Sequence, residues 1–334
     1  ISDQTDFSFE FSCEEGASLA ETYDVVLTDT ITKLTKTFSL ATGEGIYIDK
    51  VAPVIGDPER VRVEENVNWY DAGGKWWAKN GAQYIVEASD ANSGVDEGSF
   101  SLTNTQDMAT IESNEDGTTA TVTIGAKDEQ TIAEVADSIT VKDKAENCSE
   151  VKKVTYGIDT QAPSIKAGAL DGIEGIAKND SIYYWDGDKE FKVTFSADDN
   201  NGSGVASCSY RIVNEKNQEV QSSGDNENIT WDGSNGSITI PDDNTQYTDG
   251  RQYFVYVTAT DYLGNTSGAM VVAQFTVDIS APKVTYDFEM DQDLLDRVKE
   301  LFGIYHKDNL KVTVTAEDAG VGFLSEDDCF GELK

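Results

Sequence analysis

Basic residues are scarce. Lysine and arginine total 25 against 62 aspartates and glutamates, a net charge of −37. Nucleic acid and anionic membrane surfaces are bound through basic patches, so the charge argues against both as partners. The same acidity fits a soluble, self-repelling extracellular chain, or one that binds cations. No run of 18 apolar residues occurs, so no transmembrane helix or direct membrane insertion is expected. The opening Ile1-Ser2-Asp3-Gln4 is polar and acidic and lacks the pattern of a secretory leader. No wall anchor is visible. There is one histidine, His306, which reads as a surface residue rather than a base. Gly-x-Ser-x-Gly, Cys-x-x-Cys and phosphate-binding glycine loops are missing too, so no enzymatic activity and no required cofactor are expected.

What the chain does have is a repeat. Asp49-Lys-Val-Ala52-Pro53, Asp159-Thr-Gln-Ala162-Pro163 and Asp278-Ile-Ser-Ala281-Pro282 share the pattern Asp-x-x-Ala-Pro. The copies are spaced by 110 residues (49 to 159) and 119 residues (159 to 278). That period is too long for a solenoid and suits all-β sandwich modules of about 100 residues. Proline fixes φ, removes a donor and pushes the preceding residue to extended geometry, so the repeat reads as a short, stiff joint.

The joints divide the 334 residues into modules. Residues 1–48 read as the C-terminal part of one, or as a small β module, with strands at Phe7–Phe11, Tyr23–Leu27 and Thr37–Leu40 and a turn at Gly43-Glu-Gly45. Residues 49–158 and 159–277 read as two complete modules, and 278–334 as the start of another; the half modules suggest a piece of something longer. The segment Thr131–Val135 suggests a helical turn or a loop. Within 291–302 the apolar positions 294, 295, 298, 301 and 302 have helical spacing, predicting a short helix inserted before the strand Leu310–Val314. The four cysteines, Cys13, Cys148, Cys208 and Cys329, fall one per module at positions that do not correspond, predicting free thiols and cores held by apolar burial alone.

Three loop segments align. Ala88-Ser-Asp90…Ser93-Gly94-Val95 matches Ala197-Asp-Asp199…Ser203-Gly204-Val205 and Ala316-Glu-Asp318-Ala-Gly320-Val321. Val141-Lys-Asp143…Asn147-Cys-Ser149 matches Ala259-Thr-Asp261…Asn265-Thr-Ser267. With the joints and the aromatic pairs, these segments resemble bacterial immunoglobulin-like repeats, found as tandem modules in surface adhesins and as appendages of secreted glycoside hydrolases. The resemblance implies an all-β fold of tandem immunoglobulin-like β-sandwich modules in an elongated array. Two departures bear on loop function: Glu146-Asn147 replaces Gly-Asn, and Ala319-Gly320 has no serine.

In a seven-stranded sandwich of this type the chain entrance and the B–C and F–G loops share one pole. Asp49, Asp90 and Asp143 should therefore converge, as should Asp159, Asp199 and Asp261, and Asp278 with Asp318. Converging carboxylates suit calcium, which takes six to eight oxygens, some from loop carbonyls. The alternative is that each aspartate caps backbone N–H groups of its own loop. No EF-hand loop is present. The aromatics Trp69, Tyr70, Trp76, Trp77, Tyr183, Tyr184 and Trp185 are the second candidate set; exposed, they would stack on sugars or anchor a protein, and buried they are core.

The function expected is a non-catalytic extracellular stalk or adhesion fragment of a bacterial surface protein. It would space a binding head or bind a host glycan, glycoprotein or immunoglobulin, with flanking modules of the same chain as neighbours. The alternatives are accessory modules of a secreted carbohydrate-active enzyme and a surface-layer assembly component.

Overall fold

The structure, a computed structural model, describes residues 22–29, 31–41, 48–61, 68–179, 181–223, 228–242, 244–289 and 311–318. Among the described residues it is nearly all β, with one 3₁₀ turn at Asn244–Gln246 and no α-helix. The expected helix at 291–302, the strand at Phe7–Phe11, the turn at Gly43–Gly45, His306, Cys13 and Cys329 lie outside the described residues. The chain separates into two compact units, residues 1–161 with 201–203 and 262–264, and the remainder.

The first unit opens with a hairpin of β1 (Thr22–Thr28) and β2 (Thr35–Ala41). There follow β3 (Val54–Ile55), β4 (Glu59–Val61), β5 (Trp69–Ala72), β6 (Lys75–Ala78), β7 (Gln83–Ser89), β8 (Ser101–Asn104), β9 (Ala109–Ser113), β10 (Thr119–Ile124), β11 (Thr131–Thr140) and β12 (Lys152–Asp159). They form two sheets, β3-β7-β10-β9 with β4 also on β7, and β5-β6-β12-β11-β8. Alternation decides what faces in. Tyr84, Val86, Val122 and Ile124 from one sheet meet Val135, Ile139, Tyr156 and Ile158 from the other in a single buried cluster. Each such side chain contributes about 1.5–3 kcal/mol of apolar burial.

The second unit repeats the plan. It comprises β13 (Ser164–Ala167), β14 (Ile176–Asn179), β15 (Ile182–Trp185), β16 (Phe191–Asp198), β17 (Val205–Asn214), β18 (Glu219–Ser222), β19 (Ile229–Trp231), β20 (Asn235–Ile240), β21 (Gln252–Asp261) and β22 (Met270–Val277). Its sheets are β13-β16-β20-β19 and β14-β15-β22-β21-β17-β18. Apart from β4, this is the order of the first unit position for position, with β18 added at one edge. Even the one parallel pairing recurs, β6 with β12 (Trp77 opposite Gly157) and β15 with β22 (Tyr184 opposite Thr276). A last pair, β23 (Lys283–Glu289) and β24 (Lys311–Glu317), follows the third joint.

One expectation is corrected. Thr131–Val135 is neither helix nor loop but the start of β11, pairing with β12 across a bulge between Ile132 and Val135. The bulge shifts the side-chain phase, which is why the alternation that marks a strand is broken there.

Candidate functional site

Three backbone segments of the first unit meet around Asp49: the stretch before β3, the loop after β7 and the loop after β11. They bring one carboxylate oxygen each from Asp49, Asp90 and Asp143 within 4.8 Å of one another. Asp143 is buried and the other two are half-buried. A set made of Asp159, Asp199 and Asp261, all three buried, has the same spacing. Asp278 and Asp318 belong to no such cluster of three among the described residues.

Each aspartate also organises its own loop. Asp49 accepts from Val51 N (3.1 Å) and, across the turn, from Ser93 N (2.8 Å). Asp90 Oδ1 accepts from Asn92 N (3.1 Å) and Gly94 N (2.8 Å). Gly94 sits at φ +81°, which aims its N–H back into the loop and which glycine adopts freely. Asp143 accepts from Asn147 N at Oδ1 (2.8 Å) and from Asn147 Nδ2 at Oδ2 (2.7 Å), and the same amide reaches the Asp49 carbonyl at 3.1 Å. In the other set Asp159 accepts from Gln161 N (3.2 Å) and Ser203 N (2.6 Å), Asp199 from Gly204 N (2.7 Å), and Asp261 from Asn265 N and Nδ2 (2.8 and 2.7 Å).

The sequence motif thus has a mechanical meaning. Its serine closes the loop: Val141 N donates to Ser149 Oγ (3.0 Å) and Ala259 N to Ser267 Oγ (2.9 Å). The departure at Glu146 leaves the bonds between the aspartate and the asparagine in place, because Glu146 takes φ 69° where Gly264 takes 81°.

Capping and convergence coexist. The capping bonds named come from neutral amides and leave the charges close together. Two carboxylate charges 4.8 Å apart repel by about 3 kcal/mol at an effective dielectric of about 20. Ser93 Oγ and Ser203 Oγ, the matching serine of each B–C loop, are buried with no hydrogen-bond partner among the described residues. The arrangement offers clustered oxygens and no nucleophile–base pair.

The aromatic set divides. Trp69, Trp77 and Trp185 lie in the cores. Trp69 packs edge-on against Tyr156 (5.7 Å) and donates from Nε1 to Gln83 O (2.9 Å). Trp185 packs on Phe191, Tyr247 and Phe275 and donates to Lys189 O (2.8 Å). None of the three presents a ring face to a ligand. Tyr70, Trp76, Tyr183 and Tyr184 are half-buried. The Arg60 guanidinium covers the Trp76 ring at 4.0 Å, and its partial burial lowers the arginine's affinity for its proton.

Sequence reasoning missed a buried polar group in the first core. Asp137, 0% exposed, accepts from Tyr84 Oη (2.6 Å) and from Asn104 Nδ2 (2.5 Å), and that amide also reaches Tyr156 Oη (3.2 Å). Burial, and then the Asp137 charge, push both tyrosine hydroxyls far above their ordinary range. The signal was there: Asp137 falls in phase with Val135, Ile139 and Val141, the inward positions of its strand. At the matching positions of the second unit stand Val193, Ile212, Val255 and Phe275, all buried and all apolar.

No protein-family model and no curated protein sequence matches the chain. Among solved structures, it is similar to the crystal structure of dimeric latent PorU from Porphyromonas gingivalis at 12% sequence identity and a TM-score of 0.24. The alignment covers 76% of this chain and 23% of that one, so the chain spans under a quarter of that structure's length.

Proposed function

We propose that the chain is a non-catalytic extracellular spacer of tandem immunoglobulin-like modules, part of a bacterial surface protein, and that calcium occupies the aspartate clusters. The observation that carries this reading is the recurrence of three converging aspartates where the chain enters each of the two complete modules. Strand order supports the fold assignment: β3-β7-β10-β9 matches the A-B-E-D sheet of an immunoglobulin-type sandwich and β12-β11-β8 its G-F-C sheet. The net charge of −37 supports a cation as the ligand and a soluble, self-repelling surface. Calcium would replace the mutual repulsion of Asp49, Asp90 and Asp143 with shared coordination, tying the entering segment to both loops. Spacing is favoured over direct sugar binding because Trp69, Trp77 and Trp185 are enclosed in cores.

The test is a thermal melt with calcium and with chelator, alongside calorimetric titration of calcium into the metal-free protein. A ligand that binds only the folded state raises the midpoint by mass action. The expected result is a rise that Asp90→Asn and Asp199→Asn each diminish. An unchanged midpoint together with no binding heat would reduce the clusters to loop caps.

A further inference from the structure

A hollow of about 570 Å³ lies on the sheet β13-β16-β20-β19 of the second unit. Small-molecule sites span about 300–1,000 Å³. Its lining comes from successive rows across the four strands. Thr194 lies opposite Ser237, and Ser237 opposite Thr230; two positions along, Ser196 lies opposite Asn235. Phe195, between Thr194 and Ser196, turns into the core at 3% exposed, so alternation turns its two neighbours outward. The outer side thus presents the hydroxyls of Thr194, Ser196, Thr230 and Ser237, with Asn235 and Asp232 at one end. The Thr230 and Ser237 hydroxyls share one hydrogen bond (2.8 Å), and each has capacity for more.

The first unit repeats these strands but not this surface. Aligned through Ala88 and Ala197, Thr194 corresponds to Ile85, Ser196 to Glu87 and Thr230 to Glu112. Acids are the ordinary residues of a solvated strand face in a chain of net charge −37, and here hydroxyls stand in their place. The floor of the hollow is fixed from beneath. The Phe195 ring fills the space beside Gly236, where a Cβ would overlap it, and lies parallel to the Trp231 ring at 5.9 Å. At the margin Gly168 leaves the room that the Thr194 hydroxyl occupies. A surface held in shape before binding loses little entropy on binding.

The lining chemistry selects the ligand. No lysine or arginine is among the described residues that line the hollow, and the field of so acidic a chain repels anions. One carboxylate, Asp232, is too few for a calcium ion. An extended peptide adds to a strand edge, but β16 and β20 are each paired on both sides. What fits is a neutral ligand that carries many hydroxyls itself. Adjacent strands repeat about every 4.7–4.9 Å, close to the length of one pyranose ring, so linked sugar rings can meet equivalent groups on successive strands. We propose that this face of the second unit binds a neutral oligosaccharide laid across β16, β20 and β19. Thr194, Ser196, Ser237 and Thr230 bond to its hydroxyls, and Asp232 and Asn235 fix one end. Trp69, Trp77 and Trp185 take no part in it, and no member of either aspartate set lines the hollow, which separates it from the calcium reading.

The test titrates neutral hexasaccharides into the 334-residue chain by calorimetry, in chelator. The probes are cellohexaose, xylohexaose, chitohexaose and mannohexaose, with a galacturonate hexasaccharide as the charged control. The expected result is a single site per chain for at least one neutral sugar, and no binding of the charged one. Thr194→Ile, Ser196→Glu and Thr230→Glu install the residues with which the first unit folds at these positions, so the melting profile should hold. Each should weaken binding about tenfold, the worth of one or two hydrogen bonds. Failure of every neutral sugar to bind at millimolar concentration overturns the proposal. So does binding that all three variants leave intact, which would place the sugar elsewhere, and so does tighter binding of the galacturonate.

Discussion

Asn147 is bound to Asp143 twice, its backbone N–H to one carboxylate oxygen at 2.8 Å and its side-chain amide to the other at 2.7 Å, and Asn265 holds Asp261 with the same two distances. Two such clamps, 118 positions apart (147 to 265), keep one loop geometry while the residues between them differ.

That relationship makes the amide, and not only the carboxylate, a stability determinant. Asn265→Ala removes the side-chain donor from a carboxylate that is 2% exposed. Losing a partner of a buried charged group costs about 1–3 kcal/mol. Chemical denaturation should register that loss, and Asn147→Ala should register it in the first unit with the added loss of the bond to the Asp49 carbonyl.

The polar group in the first core should respond to substitution in a non-additive way. Asp137→Val alone leaves Tyr84 and Asn104 without their acceptor and should destabilise by about 1–3 kcal/mol. Replacing all four residues with those of the second unit (Tyr84→Val, Asn104→Ile, Asp137→Val, Tyr156→Phe) removes every polar partner together. Exchanging a buried polar set for apolar residues is often neutral or stabilising. A double-mutant analysis of denaturant midpoints checks this, and a quadruple variant weaker than Asp137→Val would contradict it.

Alkali should find the same tyrosines. Burial and the Asp137 charge hold Tyr84 and Tyr156 protonated in the fold well above the usual tyrosine range. An unfolded tyrosine ionises near pH ~10. The stability gained by keeping these groups neutral is therefore complete below that pH and is lost as pH rises above it. Denaturant midpoints of wild type should fall on that side, and Tyr84→Phe and Tyr156→Phe should flatten the fall. An unchanged slope in both variants would contradict the assignment.

The described thiols should differ in reactivity. Cys148 is exposed, whereas half-burial of Cys208 pushes its thiol up to about 11. The thiolate is the reacting species. In a Cys13→Ser, Cys329→Ser background, alkylation followed by mass spectrometry at neutral pH should label Cys148 first, with Cys208 lagging until the second unit opens.

Much of this was legible in the sequence because it rests on short-range chemistry. The three joints, the alternation of β7, β10, β16 and β21, and the aspartates at loop starts are local patterns, and the two complete aspartate sets do converge. What escaped depends on partners far away in sequence. The sequence left Trp77 open as a ligand platform or a packed ring, and its place beside Gly157 on a parallel neighbour encloses it. A Cβ on Gly157 would come within 2.4 Å of that ring, a constraint that no local pattern carries. Thr131–Val135 escaped because a bulge broke its rhythm, and Asp137 because an acid among apolar positions reads as solvent-facing until its partners are known.

The parallel pairing of β6 with β12, and of β15 with β22, also sets how each unit meets a pulling force. Once β3, β4 and β5 have come away, tension along the chain draws β12 toward its C-terminal end and β6 toward its N-terminal end. Because the two run the same way, they are dragged lengthwise past each other, and the bonds between them are strained together. Strands of a hairpin pulled from their open end would instead come apart bond by bond, like a zipper. A unit built this way keeps its parallel pairing until that pairing shears as a whole.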